Sequence, residues 1–435
     1  MKKPLPAPTG VVVGGQARDG SCSAEVDGRA FVVLGTLPGE RVDIQPRRRS
    51  RGKVMGIAVN VTEAADDRVE PTCEVAGVCG GCSLMHMRHE AQLELKSGWL
   101  REELGDVQPD HWLPPLTGPV RAYRAKARLG ARYVEKRGEV LVGFREKFSG
   151  FVTDTRRCDV LAAPVGELVG PLRDLLGALD NPRCIPQIEV AALGDRAALV
   201  VRHLEALGDP DLERLGSFAV QHALDVYLQA GGPDTVRPLP EHEFRTLTYA
   251  LPEFDVSIEV TPGDFVQVNT ALNRSMVSQV MALLDPGPSD SVADLFCGVG
   301  NFGLAAARRA GSVIGSDLVA SGIDRARANA VRNALSNVQF EVRDLMADGL
   351  HESWQISANK VILDPPRSGA AAVVPALVSS KVERVVYVSC NPVTLARDTA
   401  KLVAGGFRLV SAGIMDMFPH TTHVESVALL EREGH

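Results

Sequence analysis

The sequence lacks a long hydrophobic run, since no uninterrupted apolar stretch approaches the roughly 18 residues that span a bilayer. Behind the N-terminal Lys2 and Lys3 it also lacks the apolar segment that a secretory signal requires. Aromatic residues are scarce, at 5%, and the charged fraction of 23% is that of ordinary soluble proteins, which excludes the disordered, collagenous and coiled-coil classes. We therefore expect a cytoplasmic protein of roughly two to four domains, with no membrane partner and with its eight cysteines reduced.

The net charge of −7 at pH 7 conceals two basic segments. Residues 1–60 contain ten Lys and Arg against five Asp and Glu, and residues 121–160 contain eleven against five. Because electrostatic screening acts over about 8 Å at physiological salt, such a segment can attract a polyanion although the whole chain is acidic. The densest basic run, which indicates either a nucleic-acid contact or a solvated loop, is Arg47-Arg48-Arg49-Ser50-Arg51-Gly52-Lys53.

The first two thirds of the chain show two different patterns. Residues 1–64 contain several short β-rich stretches separated by turn sequences, which favours a small OB-like β-barrel. Such barrels commonly bind single-stranded nucleic acid. Residues 65–262 open with a cysteine cluster and then mix strands with helices, including a helix over residues 90–104, which predicts an α+β central domain.

Residues 263–435 alternate strands and helices, which predicts a doubly wound parallel α/β sheet. The last two strands follow each other without a helix between them. This predicts an antiparallel pair at one edge, as in class I (Rossmann-like) methyltransferases rather than dehydrogenases. The predicted strands are 291–296, 312–317, 338–343, 360–364, 384–390, 407–417 and 423–431, and the predicted helices are 302–310, 319–334 and 392–404.

A glycine-rich loop joins the first strand and helix of this sheet. Gly298, Gly300 and Gly303 satisfy G-x-G-x-x-G, which allows a tight turn and a close approach of a ligand to the backbone. Asp317 follows Gly298 by 19 residues and can accept hydrogen bonds from ribose hydroxyls. This pattern alone fits NAD nearly as well as S-adenosylmethionine. Three features at strand ends favour S-adenosylmethionine: Asp294, Asp344 and Asp364-Pro365-Pro366-Arg367.

The tip of the fifth strand carries a cysteine. Cys390 precedes Pro392 at the start of a helix, and open α/β sheets place their active sites at this end of their strands. The helix dipole favours a thiolate there, so we expect a lowered thiol pKa, although a buried small residue is the alternative reading. Because Arg367 and not an aromatic residue follows the two prolines, methylation of an exocyclic amine is disfavoured.

A thiolate suits methylation of uracil at C5. Its addition to C6 turns C5 into a nucleophile, and a general base must then remove the C5 proton. Glu425 is the candidate base because glutamate is unusual in a strand, with an exposed edge residue as the alternative; His420 and His423 are further candidates. In an extended segment Phe265 and Gln267 share one face, where the ring can stack on a flipped base and the amide can bond cofactor or uracil.

Four cysteines have a ligand-like spacing. Cys73, Cys79 and Cys82 lie close together, and Cys158 follows 76 residues later. The five-residue gap does not fit the close pairs of structural zinc sites. Three close cysteines plus a distant one are nearer to iron–sulfur ligation. We predict an iron–sulfur cluster, with zinc and metal-free thiols as the alternatives.

Over nearly the whole chain these motifs resemble RNA uracil-C5 methyltransferases that carry an iron–sulfur cluster. Leu37-Pro38-Gly39-Glu40-Arg41-Val42 resembles part of a TRAM domain, and Phe265-x-Gln267-x-Asn269 also matches. Besides the four cysteines, the most specific motifs are Ser389-Cys390-Asn391-Pro392-x-Thr394-Leu395-Ala396-Arg397-Asp398 and Asp416-Met417-Phe418-Pro419-His420-Thr421.

The resemblance implies that the four cysteines hold a [4Fe-4S] cluster that serves folding or RNA contact rather than redox catalysis. It implies Cys390 as nucleophile, Glu425 as base, and Phe265 and Arg367 as substrate contacts. Asp317 stands where the family generally has glutamate, so a looser ribose contact with unchanged chemistry is expected. The residues implied to bind S-adenosylmethionine are Gln267, Phe296, Asn301, Asp317, Asp344 and Asp364.

The expected function is therefore methylation of C5 of a specific uridine in 23S ribosomal RNA by a monomer. Residues 1–64, 121–157 and 47–53 are expected to hold RNA phosphates around a flipped, unpaired uridine. A tRNA-specific relative fits worse, because the cluster and TRAM motifs are both present. A nicotinamide-dependent oxidoreductase leaves Cys390 unexplained, and a non-catalytic RNA-binding or ribosome-assembly factor is a further alternative.

Overall fold

A curled five-stranded sheet opens the part of the chain that the computed structural model describes, residues 7–434. The strands pair in the order β1-β4-β5-β3-β2. Just after β1, the Gly14 N–H donates to the Ser23 carbonyl of β2 at 2.7 Å, so the chain reaches across to the opposite edge of the sheet. Phe31, Val33 and Ile44 fill its interior. The strands are β1 (Val11–Val12), β2 (Cys22–Val26), β3 (Arg29–Leu34), β4 (Arg41–Ser50) and β5 (Lys53–Glu63).

The basic run 47–53 is a hairpin tip and not an irregular loop. It comprises the end of β4, a two-residue turn at Arg51 and Gly52, and the start of β5, with Ser50 paired to Lys53. Both turn residues have positive φ, 48° and 78°, as a type I′ turn requires. The hairpin therefore presents its arginines on an extended, exposed ribbon.

The middle of the chain builds a six-stranded sheet in the order β12-β11-β10-β9-β7-β8, with two helices packed on one face, and a separate hairpin. Its strands are apolar where they face the helices, as in Leu199 and Val201. The elements of this part are α1 (His89–Leu104), β6 (His111–Trp112), β7 (Lys126–Val134), β8 (Glu139–Gly143), α2 (Val169–Gly177), β9 (Gln187–Leu193), β10 (Arg196–Arg202), α3 (Asp209–His222), β11 (Leu224–Gln229), β12 (Val236–Pro238), β13 (Leu247–Leu251) and β14 (Val256–Val260).

The C-terminal part contains the doubly wound sheet expected from its strand–helix alternation. Its elements are α4 (Thr270–Leu284), β15 (Ser291–Leu295), α5 (Gly303–Ala307), β16 (Ser312–Asp317), α6 (Ala320–Arg332), β17 (Val338–Val342), α7 (Leu350–Ser353), β18 (Lys360–Leu363), α8 (Val374–Ser379), β19 (Arg384–Ser389), α9 (Pro392–Ala404), β20 (Phe407–Met415) and β21 (Glu425–Arg432). The order is β17-β16-β15-β18-β19-β21-β20-β6, and the first five strands are parallel.

The antiparallel end of this sheet differs from the expectation in one respect. β21 is antiparallel to both β19 and β20, as predicted, but the edge itself is β6, which joins β20 in parallel. Helix α1 packs beside it through Trp99 and Leu100, in the same core as α9 and β20. Residues 89–112 thus pack with the C-terminal sheet, although the predicted boundary assigns them to the 65–262 unit.

No helix of residues 7–434 is both long and apolar enough to cross a membrane.

Candidate active site

Several predicted site residues lie together at the carboxyl ends of the parallel strands, which form one side of the sheet. Cys390 directly follows β19, Asp364 directly follows β18 and Asp317 ends β16. Because β21 is antiparallel, its first residue, Glu425, lies at this same edge. Ser389 pairs with Ser426, which sets Glu425 beside the cysteine-bearing strand tip.

The glycine loop is tied down by two carboxylates. Asp294 accepts the Gly303 N–H at 2.7 Å, and Asp317 accepts the Gly298 N–H at 3.0 Å. Phe296, at the tip of β15, has φ 68°, a conformation that costs energy for a residue with a side chain. Burial raises the pKa of Asp294 to about 7, against the Gly303 hydrogen bond. Such strain within a tightly hydrogen-bonded loop is typical of a ligand site.

Asn301 lies on this loop, and its side-chain amide is largely engaged within the protein. Its Oδ1 accepts from Asn273 Nδ2 at 2.9 Å and from the Tyr249 hydroxyl at 3.0 Å, and its Nδ2 donates to Asn273 Oδ1 at 2.9 Å. Sequence reasoning did not single out Tyr249 or Asn273. The pairing anchors the loop to α4 and β13, and one amide hydrogen remains for a ligand.

Gln267 and Asp364 lie within hydrogen-bond distance of each other. Gln267 Nε2 donates to Asp364 Oδ2 at 3.3 Å. Burial raises the pKa of Asp364 to about 7, and the Gln267 hydrogen bond opposes the shift. Asp344 is exposed just beyond β17, where its Oδ1 accepts the Met346 N–H at 2.9 Å. Both acids thus lie at the strand ends where the cofactor was expected.

The Cys390 thiol is half-buried and has a raised pKa, about 11, instead of the lowered value expected from the helix dipole. Desolvation is the largest cause, followed by the charges of Glu425 and Asp364, while Arg367 opposes them. The dipole of α9 is outweighed because burial desolvates the thiolate and because two carboxyl groups from other strands add a smaller unfavourable charge. The thiol is therefore protonated at neutral pH in the free protein.

Glu425 is 3% exposed, so the alternative of an exposed edge residue is wrong. Burial raises the pKa of its carboxyl well above the ordinary value, the charge of Asp364 adds to this, and Arg367 opposes it. Cys390, Glu425 and Asp364 thus form a coupled set in which ionisation of one disfavours ionisation of the others.

The positive charge of Arg367 lowers the pKa values of both Cys390 and Glu425. Its Nη2 lies 2.9 Å from His423 Nδ1, and its carbonyl accepts the Asn391 amide at 2.9 Å. Burial and the Arg367 charge lower the pKa of His423 to about 4, so this imidazole is neutral at physiological pH. Phe265 is 75% exposed and so is free to contact a substrate.

A buried carboxylate that sequence reasoning did not assign a role holds the Asp364-Pro365-Pro366-Arg367 turn against α9. Asp398 accepts the Tyr387 hydroxyl and the Ala370 N–H, both at 2.8 Å, and Arg397 Nη2 donates to the Ser368 carbonyl at 2.9 Å. In the sequence Asp398 lies at helical spacing from Leu395 and Leu402, which indicates a carboxylate on the buried face of α9. It fixes the turn relative to the cysteine.

The four predicted ligand cysteines line one cavity between the cysteine loop and the six-stranded sheet. Several sulfurs accept backbone N–H groups: Cys79 from Gly81 at 3.4 Å, Cys73 from Val75, and Cys158 from Val160 and Leu161. Lys147, partly buried, is coupled to three of the sulfurs. Burial and the other cysteines raise the pKa of Cys82 to about 12.

The donor set of this cavity is four thiols, which can bind either a metal ion or an iron–sulfur cluster. Within residues 7–434 no three His, Cys, Asp or Glu side chains converge closely enough to hold one metal ion. A cubane carries each cysteine on a different iron and so needs wider separations than zinc does. The donor set, four thiols with N–H groups aimed at them, suits such a cluster.

The fold matches that of Pyrococcus abyssi tRNA (uracil-54, C5)-methyltransferase solved with S-adenosyl-L-homocysteine. The TM-score is 0.76 at 24% sequence identity, and the match covers 97% of this chain and 99% of that one. Residues 241–433 match the family model described as tRNA (Uracil-5-)-methyltransferase. The C-terminal sheet is thus the Rossmann-like fold of methyltransferases that use S-adenosylmethionine.

Two relatives define the relationship more closely. The 23S rRNA (uracil(1939)-C(5))-methyltransferase RlmD of Alcanivorax borkumensis is 44% identical, over 96% of this chain and 95% of that one. The protein of the same name from Methylococcus capsulatus is 45% identical over 99% of both chains. The chain belongs to the RNA uracil-C5 methyltransferase family.

Proposed function

We propose that this protein transfers a methyl group from S-adenosylmethionine to C5 of a uridine in 23S ribosomal RNA, the one that corresponds to uridine 1939 in the names of its relatives. The observation that carries the proposal is the meeting of Cys390, Asp364 and Glu425 at the carboxyl edge of the sheet, beside the glycine loop. A nucleophile and a buried base at one strand edge are what C5 methylation of uracil requires.

The reaction follows from the roles of two side chains. The Cys390 thiol loses its proton to solvent when the RNA binds, and the thiolate sulfur forms a bond to C6. The electron pair of the C5–C6 double bond moves into the C5–C4–O4 enolate, which makes C5 nucleophilic. S-adenosylmethionine, when bound, supplies the methyl group as an electrophilic sulfonium. The Glu425 carboxylate then takes the C5 proton, the pair from that C–H bond restores the double bond, and the S–C6 bond breaks to release the thiolate.

Charge coupling orders these two steps. The pocket holds one negative charge more easily than two, because Cys390 and Glu425 raise each other's cost of ionisation. Once the sulfur is bonded to carbon it carries no charge, so Glu425 can ionise and act as a base. Arg367 stabilises the anionic form at both steps.

The cofactor residues are assigned from the resemblance and from their positions. We propose that Asp317 and Asp344 bind the adenosyl group, while Gln267, Phe296, Asn301 and Asp364 line the remainder of the site. Two contacts support this: Asp317 accepts the Gly298 N–H of the glycine turn, and Asn301, which lies on that loop, is held by Asn273. Phe265 and Arg367 are proposed to contact the flipped uracil.

We further propose that residues 1–64 are a TRAM domain and that residues 65–262 form the cluster-bearing domain, of which α1 and β6 pack with the methyltransferase domain 263–435. We also propose that the protein acts as a monomer in the cytoplasm. The exposed hairpin 47–53 and the basic segment 121–157 then bind RNA phosphates. Affinity for RNA should accordingly fall steeply with salt.

A [4Fe-4S] cluster held by Cys73, Cys79, Cys82 and Cys158 completes the proposal. Wild-type protein purified without oxygen should be brown and contain about four irons and four sulfides per chain. Colourless protein with one zinc per chain would contradict the cluster assignment.

The function is tested by mapping methylated nucleotides in 23S rRNA from cells with and without the gene, followed by methylation of the unmodified RNA with purified protein. Loss and restoration of one 5-methyluridine is the expected result. Methylation of tRNA in place of 23S rRNA would favour the tRNA-modifying alternative, and no methylation of either would favour a non-catalytic RNA-binding factor.

A further inference from the structure

The loop that leads to the base is held from outside the C-terminal sheet. Residues 416–424 join β20 to β21, and Met415 pairs with Glu425 at the mouth of the hairpin. The Ser83 and Leu84 N–H groups donate to the His420 carbonyl at 2.8 and 2.9 Å. The Tyr123 hydroxyl donates to the Pro419 carbonyl at 3.0 Å. Backbone groups of the loop are thus satisfied by residues that lie about 300 positions earlier in the chain.

A buried lysine on α1 is the centre of this bracing. Lys96 is 1% exposed, and its Nζ donates to Asp416 Oδ1 at 2.6 Å and to the Phe418 carbonyl at 3.0 Å. The other oxygen of Asp416 lies 2.8 Å from His89 Nε2. A buried ion pair contributes little net stability compared with apolar side chains of the same size. Lys96 does fix the conformation of the loop, because its ammonium group bonds both Asp416 and Phe418 at the start of the loop.

Gln92, one helical turn before Lys96, fixes the next part of the loop. Its Oε1 accepts the His420 N–H at 2.9 Å, while its Nε2 donates to the carbonyls of Met87 and Leu84 at 2.7 and 3.1 Å. His420 has φ 64°, which is unfavourable for a residue with a side chain. Such a conformation persists only where surrounding contacts impose it.

The braced loop controls more than Glu425. Beyond His420 it carries His423, whose Nδ1 lies 2.9 Å from the Arg367 guanidinium. The Phe418 and His423 rings meet edge to face with centroids 5.3 Å apart. The loop therefore sets the position both of the carboxylate and of the cation that faces it.

We propose that Lys96, supported by Gln92, is a positioning residue for the removal of the C5 proton: it holds the 416–424 loop so that Glu425 reaches the methylated base. The inference rests on the proposed function. It predicts a specific defect, since the loop leads directly to Glu425 and not to Cys390. Without Lys96 the sulfur still attacks and the methyl group is still transferred, but release from the covalent adduct slows.

The test is Lys96→Met, which keeps the length of the side chain and removes its charge. Unmodified 23S rRNA fragment is reacted with methyl-labelled S-adenosylmethionine, and label in the covalent protein–RNA complex is compared with label in free RNA. We expect the ratio of adduct to free product to rise about tenfold to a hundredfold, since a shift of about 1 Å in a catalytic group costs that much in rate. A purely structural defect lowers both signals together and leaves the ratio unchanged.

Lys401→Met is the matched control, because this exposed lysine lies near the far end of α9 and should keep the wild-type ratio. Should Lys96→Met fold poorly, Lys96→Met with Asp416→Asn also removes the carboxylate charge that has lost its ammonium partner, and the ratio still counts only molecules that have reacted. A wild-type ratio of adduct to free product in the Lys96 variants overturns the positioning role. Failure of the wild-type protein to methylate the RNA overturns the proposed function instead.

Discussion

The molecule has two sulfur sites in which burial raises the thiol pKa, but the polar groups around the sulfurs differ. Around Cys390 the neighbours are acidic: Glu425 and Asp364 disfavour the thiolate, and the single cation Arg367 opposes them only in part. In the cysteine cavity the neighbours are donors, since backbone N–H groups point at the sulfurs and Lys147 is coupled to them.

The difference fits what each sulfur is proposed to do. A permanent ligand must stay anionic, so its site supplies donors that stabilise negative charge. A nucleophile that acts once per turnover and then leaves is better kept protonated until the substrate arrives, because a free thiolate is readily oxidised.

The largest expected effect is that of Cys390→Ala. It removes the only proposed nucleophile, so methylation of 23S rRNA should fall below detection. RNA containing 5-fluorouridine, which has no removable C5 proton, should form a covalent adduct with the wild type and none with the variant. Cys184→Ala is the control, because this cysteine is buried in the core of the six-stranded sheet, away from the methyltransferase site. An adduct formed by Cys390→Ala would remove this residue from its role.

Glu425→Gln should lower turnover by roughly 10²- to 10⁴-fold, the usual worth of a general base. Because Cys390 is intact, the variant should accumulate a methylated protein–RNA adduct on denaturing gels. Wild-type turnover would show that another group, such as His423, removes the proton.

Cys79→Ser addresses the other site. It should abolish the brown absorbance and lower iron and sulfide content, while Cys22→Ser, at a buried cysteine outside the cavity, should keep both. We expect activity to fall by about 10- to 100-fold, as for disturbed metal sites, and not to vanish. Unchanged iron content in Cys79→Ser would show that the two sulfur sites do not differ as proposed.

The smallest expected effect is that of Arg367→Gln, which tests how the Arg367 charge changes the pKa of Cys390. The pKa of Cys390 is about 11, so alkylation of this thiol should rise with pH through the neutral and alkaline range. Removing Arg367 takes away the charge that lowers this pKa, so the profile should move to higher pH. Each unit of that shift slows alkylation near pH 8 by about tenfold. Peptide mass spectrometry at Cys390 measures the rate, and Arg274→Gln, an exposed arginine on α4, is the control. A profile that moves to lower pH would contradict the assigned coupling.

Elements with a strong local pattern were predicted closely. Helix α9 has the predicted bounds, since Pro392 opens it and the Asn391 side chain caps it by accepting the Val393 N–H. Strand β16 also has its predicted bounds. Helix α4 was not predicted, although Leu272, Met276 and Val280 repeat at helical spacing and Asn269 caps its start. Its signal was present in the sequence and was overlooked.

Other features had no local signal. Strand β6 has two residues and exists only because β20 offers it an edge. Helix α1 was predicted to within one residue, but not its packing against the C-terminal core or the ion pair of Lys96 with Asp416. The direction of the Cys390 pKa shift was predicted wrongly, because the helix dipole is a local effect. The burial that desolvates the thiol and the carboxylates of Glu425 and Asp364 both come from other parts of the chain.

The sequence by itself determined the sheet, the glycine turn and the identity of the reactive groups, because strand period, caps and side-chain chemistry act over a few neighbouring residues. Only the tertiary structure decided which charges face the Cys390 sulfur, that Glu425 is buried, and that α1 braces the loop leading to it. The reason is physical: burial and Coulomb interactions depend on distance in space, and residues hundreds of positions apart set them.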